Sequence, residues 1–260
     1  MWFFLCFASL QSPITTSYVE VQQGNCPLVI SAPHGGSHKP KEFPDRKSGT
    51  LKRDSLTQEF SLALAKAYEQ KTGQRPYVVS CSLHRLKVDL NRPVEKAAPE
   101  DSAGRLVWSQ YHQALEKASQ AALKWGGGRA LLIDVHGHAH PEDWIELGYG
   151  VSAKDLAVKD AELADAAWIR GPTSLGARLQ QAGFRAVPSP QIPHPGDKPY
   201  FNGGYIVRRH RSAGLRSVQW ELPWSLRRKS GWKKNLPAMA QAIQQVMEDW
   251  FPAPEPAADN

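Results

Sequence analysis

The stretch ALLIDVHGHAH at 130–140 sets an acid and three histidines at every second position behind a run of aliphatics. Ala130 to Ile133 has the character of an interior strand. At a strand's period of two, Asp134, His136, His138 and His140 would share one face. Another histidine, His34, stands in LVISAPHGG, again after an aliphatic run and before glycines. A catalytic zinc usually takes three protein ligands from His, Asp and Glu and keeps a fourth position for water, so His34 and His136 are two candidates. For the third, the acids that follow His34 are Glu42, Asp45, Asp54 and Glu59. Asp54, in RDSLTQEF, has the alternative role of capping the helix that begins there. Asp134, two residues before His136, is placed to accept the second N–H of a metal-bound imidazole, or to bond backbone instead.

These residues need a frame that brings distant segments together. Strands are expected in CPLVISAP (26–33), YVVSCSL (77–83), ALLIDVH (130–136) and SVQWEL (217–222). Helical spacing appears in Phe60, Ala63, Leu64, Ala67 and Tyr68, with Gly73 as a stop, and in Tyr111, Leu115, Ala118 and Ala122, ending at the glycines 126–128. A further helix follows Pro172 and stops near Gly183, and a last one carries Met239, Ile243, Val246, Met247 and Trp250. Alternating β and α elements predict an α/β fold, a three-layer α/β/α sandwich with a mostly parallel or mixed central sheet. Functional residues in such sheets collect at the carboxyl ends of strands, where both histidine segments lie.

The chain has 260 residues, 41% of them hydrophobic and 22% charged, which is globular composition and excludes wholesale disorder. One catalytic domain is expected over 21–251, with a disordered tail at 252–260. No apolar run approaches the roughly 20 residues of a membrane span. The net charge of +7 is concentrated late, from Arg208 to Lys234, and suits either small anions or nucleic acid. The opening MWFFLCFASLQS has the short apolar core of a signal peptide without a basic start, so 1–20 is read as a signal peptide or a disordered leader. Cleavage would make the protein periplasmic or secreted and leave Cys26 and Cys81 able to pair; without it the protein is cytoplasmic and the cysteines are core thiols.

Five segments carry a family resemblance: SAPHGG (31–36), LHRLKVDLNRP (83–93), DVHGH (134–138), FNGGYIVRRH (201–210) and QWELP (219–223). In order and content they resemble the motifs of the N-formylglutamate amidohydrolase family, which is distantly similar to the zinc carboxypeptidases. The resemblance implies a zinc-carboxypeptidase-like fold and a zinc-dependent hydrolase that cleaves the amide bond of a small acidic substrate such as N-formylglutamate. Carried onto this chain, the carboxypeptidase pattern selects His34, Asp54 and His136 as metal ligands. RDSLTQ is similar to the stretch that holds the carboxypeptidase acid. The chain departs from that pattern at Ser37, where those enzymes place the acid, and Asp45 is therefore the alternative to Asp54.

The resemblance also implies that Glu221 takes a proton from metal-activated water and returns it to the leaving amine. Asn91 and Arg92 resemble the pair that holds a substrate carboxylate, a task suited to the bidentate fork of a guanidinium, and Arg85 is a second contact. His138 is a candidate to polarise the leaving group or oxyanion, and His210 to reach substrate from a loop. His38, His140 and His194 are read as surface residues. An alternative function is a carboxypeptidase-like amidase acting on acidic peptides or cell-wall fragments. A nucleic-acid-binding protein is the rival from another class, but the basic stretch contains Glu221 and no nucleic-acid motif, so no such partner is expected.

Overall fold

The computed structural model describes residues 18–98 and 101–252. Its strands are β1 (Val19–Gln22), β2 (Leu28–Ala32), β3 (Tyr77–Cys81), β4 (Ala130–Gly137), β5 (Ile145–Gly148), β6 (Ala186–Val187) and β7 (Leu215–Leu222). Helices α1 (Thr57–Thr72), α2 (Val94–Ala97), α3 (Ser102–Trp125), α4 (Ala153–Leu156) and α5 (Ala166–Arg170) are followed by α6 (Leu175–Gln181), α7 (Tyr205–Arg209), α8 (Trp224–Arg227) and α9 (Trp232–Trp250). The strands form one sheet in the order β1-β3-β2-β4-β7-β5-β6. Strands β3, β2, β4 and β7 run parallel; β1 is antiparallel to β3, and β5, which pairs with β6, is antiparallel to β7. The expected α/β sandwich with a mixed sheet is therefore the observed architecture.

The central strands are apolar on both faces because helices cover both. Leu28, Ile30, Leu131, Ile133, Val218 and Trp220 belong to the core shared with α1, α6 and α9. Val29, Val79, Ala130 and Leu132 belong to the other core, where Val107, Tyr111, Leu115 and Ala122 of α3 close the layer. Helix α1 ends where the sequence predicts, on Gly73 in the left-handed conformation (φ 72°), whose N–H bonds the Glu69 carbonyl.

Three expectations change here. Cys26 and Cys81 are both free and buried, in the two cores on opposite sides of the sheet, so the conditional pairing between them does not form. Of the leader expected over 1–20, residues 1–17 lie outside the described residues, and Val19 and Glu20 open β1; the tail beyond Pro252 also lies outside them. The late basic residues do not form one exposed patch. Arg227 is buried, Arg216 lies over Trp168 and Trp250, and Arg209 lies over Trp108. No helix among the described residues is long and apolar enough to cross a membrane.

Candidate metal centre

One face of the sheet changes character along its strands. On β4, Ala130 and Leu132 pack under α3, and the next residues on that face are Asp134 and His136. On β7 the same face carries Gln219 and Glu221. The register sets His136 opposite Glu221, and Glu221 opposite Glu146 of β5, so three ionisable side chains share one rung of the sheet. The rung behind it aligns Ser31, Asp134 and Gln219.

His34 and Asp54 meet this rung from loops, one leaving β2 and one entering α1. His34 Nδ1 lies 3.2 Å from His136 Nδ1 and 3.4 Å from Asp54 Oδ2, which is 3.0 Å from His136 Nδ1. The opposite ring nitrogens are committed elsewhere. His34 Nε2 is 2.8 Å from Asp89 Oδ1, and His136 Nε2 is 2.9 Å from Asp134 Oδ2. A carboxylate only accepts, so both Nε2 atoms carry protons, and each ring turns its other nitrogen, Nδ1, toward Asp54. Two ring nitrogens and a carboxylate oxygen thus converge on one point. Although burial opposes it, the Asp134 and Asp54 carboxylates hold the His136 pKa well above its usual value, so without an ion a proton bridges Nδ1 and Asp54 where a cation could sit instead. Ligands about 2.0–2.1 Å from a tetrahedral zinc lie roughly 3.3 Å apart, so this donor set fits a zinc-sized ion. Burial opposes ionisation of Asp54, but hydrogen bonds and charge from His136 and His34 outweigh it and hold its pKa well below the usual carboxylate range.

The loop places Asp54, and not Asp45, beside the histidines. Residue Leu56, in the left-handed conformation (φ 70°), occupies the N-cap position, which has no side-chain cap, so the Asp54 carboxylate is not a cap. Its backbone carbonyl instead accepts from the Thr57 N–H and hydroxyl, which turns the side chain inward. Asp45 is 59% exposed and pairs with Lys87 Nζ at 2.6 Å, away from both histidines. The glycines after His34 permit close approach: a Cβ on Gly36 would lie 2.3 Å from the Ser82 backbone.

Asp134 holds its ring through a longer chain. Ser31 Oγ donates to Asp134 Oδ1 at 2.7 Å, and the Tyr111 hydroxyl of α3 is 2.7 Å from Ser31 Oγ. Asp89 has no counterpart in the sequence reading. It is fully buried, bonds His34 with one oxygen, and accepts from Arg85 Nε and Nη2 on the other at 3.1 Å each. Its position in LHRLKVDLNRP, two residues before Asn91, was the available signal. We expect Asp134→Asn to stay folded and bind zinc about 10- to 100-fold more weakly, because an amide holds the imidazole proton less strongly. A chelator competition titration beside a circular dichroism spectrum measures both, and unchanged affinity would show that Asp134 does not support the centre.

Glu221 is buried beside the centre. Gln219 Nε2 donates to its Oε1 at 2.8 Å, and Oε2 has no partner among the described residues. Burial pushes its pKa up to about 8, only partly offset by the nearby charge of His136. Asn91 is held on Gln219 Oε1 and accepts from the Ile206 N–H. Gly204 makes this possible, since a Cβ there would lie 2.1 Å from Asn91 Nδ2. Arg92 is exposed at the cleft, and its guanidinium makes no hydrogen bond among the described residues. Arg85 also lines the cleft but already bridges Asp89 and Asp54, 3.6 Å from the latter, so its main partners are carboxylates of the protein.

Two histidines have their ring nitrogens engaged within the protein. His210 lies outside the cleft lining, buried against α3, stacked on His112 with Nε2 2.9 Å from His112 Nδ1. Burial lowers its pKa to about 4. The turn of α7 swings it away from the loop that carries FNGG. His138 lines the cleft, but Nε2 donates to the Trp144 carbonyl at 2.9 Å and Nδ1 accepts the His140 N–H at 3.1 Å, so neither nitrogen is free to act. The strand face stops at Gly137, and His138 turns into the wall. His140, expected on the surface, also lines the cleft, with Nδ1 2.7 Å from the fully buried Glu146. His38 and His194 are exposed, as expected.

The cleft holds about 810 Å³. Lys52, Arg53, Arg85, Arg92, Arg208 and Arg227 line it, against the acids Asp54 and Glu221. Phe201 and Trp224, both among the exposed large hydrophobics, also line it.

A scan against protein-family models and a search of the curated proteins return no match. Among solved structures, the chain is similar to the N-formylglutamate amidohydrolase of Ralstonia eutropha, with a TM-score of 0.58 and 16% identity, covering 90% of this chain and 98% of that one. It is also similar to a gene product of Agrobacterium tumefaciens, with a TM-score of 0.55 and 16% identity, covering 90% of this chain and 94% of that one. The likeness at this identity is one of fold, and it extends over nearly the whole of both chains.

Proposed function

We propose that the protein is a zinc-dependent hydrolase that cleaves an amide bond in a small acidic substrate such as N-formylglutamate. The observation that carries this reading is the convergence of His34 Nδ1, His136 Nδ1 and Asp54 Oδ2 within 3.0–3.4 Å of one another, beside the unpartnered Oε2 of Glu221. The likeness in fold to the Ralstonia eutropha amidohydrolase supports it.

His34, Asp54 and His136 would hold the ion, which when bound supplies a Lewis acid for the scissile carbonyl and for water. Asp89 and Asp134 keep both imidazoles in the tautomer that presents Nδ1. Glu221 Oε2 accepts a proton from the attacking water, while Gln219 fixes the other carboxylate oxygen. Arg92 offers its fork to a substrate carboxylate, with Lys52, Arg53 and Arg208 supplying the surrounding positive field.

A second reading, an amidase acting on acidic peptides or cell-wall fragments, is favoured by the size of the cleft. Its 810 Å³ falls in the roughly 300–1,000 Å³ range of pockets that enclose drug-sized ligands, and Phe201 and Trp224 add apolar surface beyond the charged floor. The deciding experiment measures zinc content and then release of free amine by the zinc-loaded protein from N-formyl-L-glutamate, acidic dipeptides and cell-wall peptides. Full zinc loading with no hydrolysis of any of them would overturn both readings. Arg92→Lys keeps the charge and loses the fork, so kcat/KM on the accepted acidic substrate should fall about 10- to 100-fold, the worth of one charge-assisted hydrogen bond, at unchanged zinc content. Wild-type kinetics in that variant would remove Arg92 from recognition.

A further inference from the structure

Glu146 is fully buried at the end of the rung that carries His136 and Glu221, and every oxygen on it faces a donor. Its Oε1 accepts from His140 Nδ1 at 2.7 Å, and its Oε2 accepts from the Phe201 N–H at 2.7 Å. The Phe201 ring stacks on the His140 ring, with centroids 4.7 Å apart and planes inclined by 15°. The imidazole is therefore fixed on its edge by a carboxylate and on its face by an aromatic ring. Its Nδ1 must carry a proton toward Glu146, and its Nε2 has no hydrogen-bond partner among the described residues. The side chain keeps 19% exposure and lines the same cleft as Glu221. His138, two residues earlier, has both nitrogens tied to backbone and cannot do what His140 can.

We propose that His140 is a catalytic residue, the acid that protonates the leaving nitrogen, and that Glu146 is its positioning residue. The proposal rests on the amide-hydrolase reading above, and it separates the acid from the base, two tasks that one glutamate would otherwise perform in turn. Hydrolysis then balances as follows. The water oxygen forms the new bond to the carbonyl carbon, and one water proton passes to Glu221. The C–N bond breaks with its electron pair remaining on nitrogen, which takes the Nε2 proton of doubly protonated His140. The products are a carboxylic acid and an amine, and transfer of the Glu221 proton through solvent to His140 restores both groups.

The role is tested by changing the leaving atom. An amide nitrogen cannot depart without a proton, whereas an alkoxide oxygen is a far better leaving group. The probes are N-formyl-L-glutamate with the ester in which oxygen replaces its amide nitrogen, and N-acetyl-glutamyl-glutamate with the corresponding depsipeptide. His140→Asn is the chosen variant because its amide N–H can still bond Glu146 while the acid is lost. For the amide that the wild type accepts, kcat should fall about 10²- to 10⁴-fold, the usual contribution of general acid–base catalysis, while the matching ester loses no more than about tenfold and zinc content is unchanged. Glu146→Gln should move the amide-to-ester ratio in the same direction. Equal losses on amide and ester, or no loss on either, would overturn the role of His140 while leaving the hydrolase reading standing. A wild type that loads zinc and cleaves none of the four compounds would instead overturn the reading beneath it. Nitrogen-15 imidazole spectra of the zinc-loaded protein add a readout independent of turnover: His140 Nδ1 should carry the proton, and a bare Nδ1 would refute the dyad.

Discussion

Glu221→Gln is expected to bind zinc at wild-type stoichiometry and to turn over at least about 10²- to 10⁴-fold more slowly, the range that general acid–base catalysis supplies. The reason lies in how its two oxygens are used. Oε1 is occupied by the Gln219 amide at 2.8 Å, so only the unpartnered Oε2 is available to take a proton. A glutamine keeps the shape and can leave its oxygen on Gln219, placing an NH₂ group where the base was. Folding should tolerate the change. Burial pushes the Glu221 pKa from 4.5 up to about 8, so the pocket favours the neutral form. With the sign worked out, this group's contribution to stability in the metal-free chain is fully present below about pH 4.5 and is lost as pH rises toward 8. The glutamine variant lacks that loss, and its melting temperature relative to metal-free wild type should rise across that interval. Turnover within a few-fold of wild type would show the mechanism wrong in its main step. Loss of zinc would make Glu221 a ligand.

Removal of any one metal ligand should have a comparably large effect on a different observable. His34→Ala, His136→Ala and Asp54→Ala are each expected to leave far less than one zinc per chain and to abolish turnover, because a three-ligand site reduced to two loses both affinity and geometry. The carboxylates behind the rings limit the structural damage. In His34→Ala, Asp89 keeps Arg85 and the nearby Arg46; in His136→Ala, Asp134 keeps Ser31. Circular dichroism should therefore remain that of the folded chain. Asp45→Ala is the matched control, since its carboxylate faces solvent and Lys87, and it should retain full zinc. Chelation of the wild type should reproduce the ligand variants and be reversed by adding zinc back. A full complement of zinc in either histidine variant would remove the centre from the protein.

Much of this arrangement was legible in the sequence because it is carried by local periodicity. The four strands expected from aliphatic runs correspond to β2, β3, β4 and β7, and the four expected helices to α1, α3, α6 and α9. Period-two alternation put Asp134 and His136 on one face, and parallel strands bring their carboxyl ends together, which is why His34 and His136 meet across 102 residues. Arg92 and Glu221 were singled out through the family resemblance, and the structure leaves Arg92 exposed at the cleft and buries Glu221. Elements with little local signal were missed. Strand β5 is only four residues long, IELG, and it enters the sheet antiparallel beside β7, so the aligned Glu146 was invisible beforehand.

Tertiary structure alone decided the partners of each ring and carboxylate. The backbone turn at Leu56 brings Asp54, and not Asp45, against the two histidines, and Asp89 reaches His34 from 55 residues away. His138 and His140 take different partners because the strand ends at Gly137, after which the Trp144 carbonyl captures one ring and Glu146 the other. His210 turns to His112 of α3, and Cys26 and Cys81 fall on opposite faces of the sheet. The physical reason is common to all of these. Alternation and helical period are set by neighbouring residues along the chain, whereas the hydrogen-bond partner that fixes a tautomer, frees a nitrogen or raises a pKa comes from whichever distant segment packs against it.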